Sequence, residues 1–155
     1  MDLTIDIEDY KLNIRAACVI KHNNKVLLHK SDDKDHYCLI GGRVELGESS
    51  ENTIKREIKE ELDKEIDIKG YISTIENFFT FEGSKYHEYM FVYEAEFKNE
   101  NDKLIEETLT NVEGKDYLKY YWMDLDEIDN VNIKPKVIKE IFKEEKYPVH
   151  KINID

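Results

Sequence analysis

Two prolines, six glycines and two cysteines are all that this chain of 155 residues holds of the types that break, bend or staple a backbone. So little proline and glycine excludes a collagen-like or linker-rich architecture. Cys18 and Cys38 sit in apolar surroundings without metal-ligand spacing, which excludes a disulfide scaffold and a thiolate cluster and leaves reduced core thiols. No apolar run approaches the ~20 residues of a membrane-crossing helix. The opening MDLTIDIEDYKL lacks the basic start and apolar centre of a secretion signal, so a cytoplasmic protein with no membrane partner is expected. Positive charge is scarce as well: 23 Lys and Arg against 35 Asp and Glu leave a net charge of -12, a field that repels a nucleic-acid polymer. A small anionic ligand stays compatible if a metal cation neutralises it locally.

What is present suffices for one core. Hydrophobic residues make up 40% and aromatic residues 11%, and neither repeat nor linker divides the chain, so residues 1–155 are read as a single domain. The stretches KLNIRAACVIKH and KVLLHK read as strands joined by Asn23 and Asn24, which tolerate the positive backbone angles of a tight hairpin. DIKGYISTIENFFTF and HEYMFVYEAEF form a second pair. From Lys98 to Asp116 the composition is polar and predicts a long surface loop, followed by a strand LKYYWMDL. Pro135 suits the first turn of a final helix carrying Val137, Ile138, Ile141 and Phe142.

The informative stretch is GGRVELGESSENTIKREIKEEL. Ser49 can cap a helix that runs to about Leu62, with Ile54, Ile58 and Leu62 as its buried stripe. At roughly 100° per residue, Glu61 falls only about 20° outside that stripe, Glu57 about 60° and Glu60 about 120°. A merely solvated acidic face would be centred opposite the stripe. Like charges at this spacing repel by a few tenths of a kcal/mol per pair unless a cation lies between them, and converging carboxylates suit Mg²⁺ or Mn²⁺. The Gly41–Gly42 pair before the helix allows close backbone approach.

Gly42, five residues, Glu48, seven residues, then Arg56-Glu57-Ile58-Lys59-Glu60-Glu61 resembles the signature box of the Nudix hydrolases, here spanning about residues 42–64. The flanking strands and YYWMDLDEI extend the likeness over roughly residues 12 to 142. Ile40 stands where many members carry proline, and Asp63 where the box ends in glycine; Asp63 is expected in a left-handed cap, and Lys64, replacing an apolar residue, at a fraying helix end. The resemblance implies an α+β fold, an α/β/α sandwich around a central mixed β-sheet, with a loop-helix-loop catalytic motif. It implies hydrolysis of a diphosphate linkage in a small nucleotide substrate. Glu57, Glu60 and Glu61 would then hold the metal with the Gly41 carbonyl, and Arg56 would pair with Glu48 to lock loop to helix. The general base is open among the box glutamates, Glu88, Glu106, Glu107 and Glu113, each of which is also readable as a surface residue. Phe78, Phe79, Phe81 and Tyr86 are candidates for stacking on a base, and core packing accounts for Phe78 and Phe79 equally well. Glu88 and Glu113 join Phe81 as substrate-binding candidates. The five histidines lack ligand spacing. No subgroup marker for ADP-ribose or coenzyme A derivatives is evident, and the sequence leaves open a homodimer. A non-catalytic nucleotide sensor on the same fold is the alternative.

Overall fold

The Asn23–Asn24 pair turns the chain with φ of 47° and 59° and joins β2 (Tyr10–His22) to β3 (Lys25–Ser31), as its residue types predict. This computed structural model describes residues 1–103 and 109–155, so Glu106 and Glu107 lie outside the described residues. The other strands are β1 (Thr4–Ile7), β4 (Ile40–Arg43), β5 (Ile66–Phe81), β6 (Ser84–Phe97), β7 (Leu118–Asp124) and β8 (Val149–Ile154). They form one mixed sheet in the order β7-β3-β2-β6-β5-β8, with β1 and β4 also paired to β2. The β2–β6 and β5–β8 pairings are parallel and the others antiparallel.

Helices cover both faces. On one side α1 (Ser50–Leu62) packs Ile54, Ile58 and Leu62 against Ala16, Cys18 and Ile20 of β2. Each such buried aliphatic side chain contributes about 1.5 to 3 kcal/mol. On the other side Ile128, Ile138 and Ile141 pack against Ala17 and Val19, the alternate residues of the same strand. The sandwich and its mixed sheet therefore agree with the fold that the motif implied.

Several elements differ from the sequence reading. β1 and β8 were not anticipated; both are short and turn their isoleucines outward, Ile5 and Ile7 on β1 and Ile152 and Ile154 on β8, so their apolar residues do not mark a buried face. The final helix, α2, is a single turn from Ile138 to Ile141, with Val137 at its N-cap and Phe142 at its C-cap. The polar stretch after Lys98 is not all loop: Glu100–Lys103 form a 3-10 turn, and Asn111 is buried. Lys64, expected at a fraying helix end, places its Nζ 2.6 Å from Asp102 Oδ1 on that turn.

Candidate active site

The start of α1 is fixed by Ser49, whose Oγ accepts from the Asn52 amide at 3.2 Å, and its end by Asp63 at φ 53° and ψ 34°, with the Asp63 amide donating to Lys59 O. Between these caps the acidic side chains follow the helical wheel. Side-chain exposure rises from 6% at Glu61 to 17% at Glu57 and 45% at Glu60.

Arg56 gathers the box. Its Nε and Nη2 donate to the two oxygens of Glu48 at 2.9 and 3.0 Å, a bidentate pair that ties the preceding loop to the helix. The same guanidinium reaches Glu57 Oε1 at 2.9 Å, Glu60 Oε2 at 3.2 Å and the Arg43 carbonyl at 3.1 Å. Hydrogen bonds from Arg56, assisted by Thr53 and the Glu45 amide, hold the Glu48 carboxyl down at about 2 despite its partial burial. Burial instead raises Glu57 above the usual carboxylate range, an effect that Arg56 and Arg15 moderate.

The glycine pair has two distinct reasons. A Cβ on Gly41 would fall 2.1 Å from the Ala16 carbonyl, so only glycine lets β4 lie against β2 there. A Cβ on Gly42 would fall 2.0 Å from Glu57 Oε1, so Gly42 forms the cradle in which that carboxylate rests.

Glu61 is the buried member, 4% exposed. Tyr120 donates to its Oε2 at 2.8 Å and Asn111 Nδ2 donates to the Tyr120 hydroxyl at 3.0 Å. Burial pushes the Glu61 carboxyl up to about 7; the Tyr120 hydrogen bond opposes this and Glu57 adds to it. His29 Nδ1 lies 3.8 Å from the same oxygen and has no hydrogen-bond partner among the described residues. Burial holds that imidazole down at about 4, so it stays neutral and no ion pair forms. Tyr120, Asn111 and His29 were missed in the sequence. Alternation along β7 carried the signal for Tyr120, which is buried while Tyr121 is exposed.

Among the described residues no three His, Cys, Asp or Glu side chains form a closed metal cluster. The donors nevertheless fit a hard cation. The Arg56 guanidinium stands between Glu57 and Glu60 as a cationic surrogate, and among the described residues Glu61 takes its side-chain hydrogen bond on Oε2.

A cleft of about 340 Å³ opens on the opposite sheet face, and Arg15, Lys34, Arg43 and Lys134 line it together with Phe79, Phe81 and Tyr86. Phe81 is 42% exposed, with Lys34 Nζ 5.1 Å from its ring centre. Glu88 lies on the cleft floor, 3% exposed. Phe78 is not among the lining residues and packs on His87. Glu113 is also outside the cleft: it pairs with Lys115 at 3.1 Å and lies near enough to Glu61 to raise its pKa.

A mixed sheet between helices, with a glycine-hinged and carboxylate-bearing helix on one face, is the architecture of a Nudix fold. The NUDIX domain matches residues 12–142, and the chain belongs to that family. Membership makes it, by class, a hydrolase acting on phosphoric anhydrides. Among solved structures it is similar to a UDP-X diphosphatase, with a TM-score of 0.63 and 17% identity over 90% of this chain and 66% of that one, just under two thirds. It is similar also to a MutT protein from Bacillus halodurans, with a TM-score of 0.63 and 22% identity over 89% of this chain and 86% of that one. A NUDIX hydrolase from Nitrosomonas europaea gives a TM-score of 0.67 and 17% identity over 92% and 79%. No match to the sequence was found among curated proteins.

Proposed function

We propose that the protein is a metal-dependent diphosphohydrolase that cleaves the diphosphate linkage of a nucleoside diphosphate derivative by attack of water at phosphorus. The observation that carries this reading is the Arg56 hub, which draws Glu48, Glu57 and Glu60 together beside the buried Glu61. Glu57, Glu60 and Glu61, with the Gly41 carbonyl, would hold Mg²⁺ or Mn²⁺. The bound cation would neutralise the diphosphate oxygens and lower the pKa of a coordinated water. Glu48 keeps Arg56 in place, and Gly42 leaves room for the Glu57 carboxylate. A glutamate oxygen not engaged with the cation accepts the proton of the attacking water. Arg15 and Arg43 face each other across β2 and β4 and line the cleft, where they meet the negative charge of a phosphate chain.

The alternative, a nucleotide sensor without turnover, is expected of a chain that has lost a box carboxylate. Here Glu48, Arg56, Glu57, Glu60 and Glu61 are all in place. Nucleoside triphosphates, nucleotide sugars and dinucleoside polyphosphates should be incubated with the protein and Mg²⁺ or Mn²⁺, with phosphate and nucleoside monophosphate release followed. Hydrolysis of one class that stops on chelation supports the proposal; nucleotide binding with no turnover under either metal supports the sensor.

A further inference from the structure

Five residues from five strands form one polar row across the sheet. Thr4, Asn13, Glu88, Asn77 and Asn153 are successive register partners on β1, β2, β6, β5 and β8. Asn13 Nδ2 donates to Glu88 Oε2 at 2.6 Å and Asn77 Nδ2 to Oε1 at 3.2 Å. Thr4 Oγ1 and Asn153 Nδ2 donate to the side-chain carbonyls of Asn13 and Asn77 at 2.8 and 2.9 Å. These outer bonds fix both amides with their nitrogens towards Glu88.

Glu88 is therefore a carboxylate that is nearly fully buried, and its hydrogen-bond partners among the described residues are two neutral amides. An ionised carboxylate has about four acceptor sites, and here each oxygen receives one donor. Leaving the rest unused in a buried position is costly. Glu88, Asn13 and Asn77 all line the cleft, so the unused capacity belongs to its floor. Above it stand Phe79 and Tyr86, stacked 4.8 Å apart, and the basic side chains that give a chain of net charge -12 a locally cationic pocket. The site thus offers an aromatic wall, a cationic rim and a floor that accepts N–H donors.

We propose that Glu88, flanked by Asn13 and Asn77, is the receptor for the base of the nucleotide and selects guanine. This rests on the reading of the cleft as a nucleotide site. The Watson–Crick edge of guanine presents a carbonyl oxygen, a ring N–H and an amino group in that order. Two adjacent donors match the two carboxylate oxygens as an arginine fork does, and the second N–H of a flanking asparagine meets the carbonyl. Adenine and cytosine set an acceptor beside their donor, and uracil sets a carbonyl on each side of one N–H. In each case a lone pair faces the carboxylate, and a site built for two donors rejects a ligand that lacks one.

The test compares guanosine and inosine 5′-monophosphates, which differ only in the amino group, with the adenosine and uridine monophosphates as further arms. Calorimetric titration without divalent metal, at fixed salt, reads base recognition apart from catalysis. The expected result is guanosine monophosphate binding about ten- to a hundred-fold more tightly than inosine monophosphate, since one hydrogen bond to a charged group is lost. Glu88→Gln should abolish that difference. If this variant does not fold, the guanosine-to-inosine ratio in the parent protein decides alone. Equal affinities, or tighter binding of adenosine or uridine monophosphate, overturn the proposal. Diphosphate cleavage with no base preference would overturn the receptor while leaving the hydrolase standing; guanine-selective binding with no cleavage would do the reverse.

Discussion

The Tyr120 hydroxyl donates to Glu61 Oε2 at 2.8 Å, and through it β7 sets the direction of a carboxylate carried by α1. The helix supplies the charge and the strand supplies its aim. Asn111 holds the hydroxyl from its other side at 3.0 Å, so the arrangement is a relay of three side chains.

This relay predicts a pH dependence in the metal-free protein. Burial raises Glu61 from 4.5 to about 7, so between those values the folded chain binds more protons than the unfolded one. Stability should therefore be greatest below about pH 4.5 as far as Glu61 is concerned, and fall as pH rises to about 7, by at most on the order of 3 kcal/mol. Glu48 acts in the opposite sense and lower down: its stabilisation is complete above 4.5 and is lost as pH falls towards about 2. Urea denaturation at pH 4.5, 6 and 7.5 in chelator checks this, with Glu61→Gln expected to flatten the slope over that interval. A parent protein whose stability does not decline there contradicts it.

Tyr120→Phe removes the donor to Glu61 and the acceptor of Asn111 together. The expected cost in stability is about 1 to 2 kcal/mol. Divalent-metal affinity should fall about ten-fold or more, because a ligand whose orienting partner is lost binds poorly. Thermal melts and metal titration separate the two effects; an unchanged metal affinity would reduce Tyr120 to a packing residue.

The two glycines should respond differently to the same change. Gly41→Ala drives a methyl into the Ala16 carbonyl, a backbone atom that can move only with its strand, and should destabilise the fold by about 2 to 3 kcal/mol. Gly42→Ala meets the end of a flexible side chain, so the fold should survive while Glu57 is pushed from its cradle. Metal titration of the folded Gly42→Ala protein should show affinity lowered about ten-fold or more. Equal thermal destabilisation by both changes would contradict this division.

Much of the site was legible because a helix is local. The wheel ordered Glu61, Glu57 and Glu60 by depth, and their exposures follow that order. Asp63 was expected in a left-handed cap and is found there, since few other residues tolerate that angle. The polar row through Glu88 could not be read in the same way. Its members lie on five strands, and register between distant strands is set by the packed sheet rather than by neighbours in sequence. β8 was invisible for a related reason: its parallel pairing with β5 gives VHKINI its place, while the segment has no strong pattern of its own.

The central claim is that the box carboxylates are a divalent-metal site, and calorimetric titration of Mg²⁺ into the parent and Glu61→Gln proteins tests it most directly. Glutamine keeps the size and helix preference of glutamate and still accepts from Tyr120, but lacks the charge that a hard cation requires. The predicted result is saturable binding to the parent, affinity lowered at least about ten-fold in the variant, and a variant no less stable than the parent without metal at pH 7.5. Equal Mg²⁺ affinity in the two folded proteins would contradict the site.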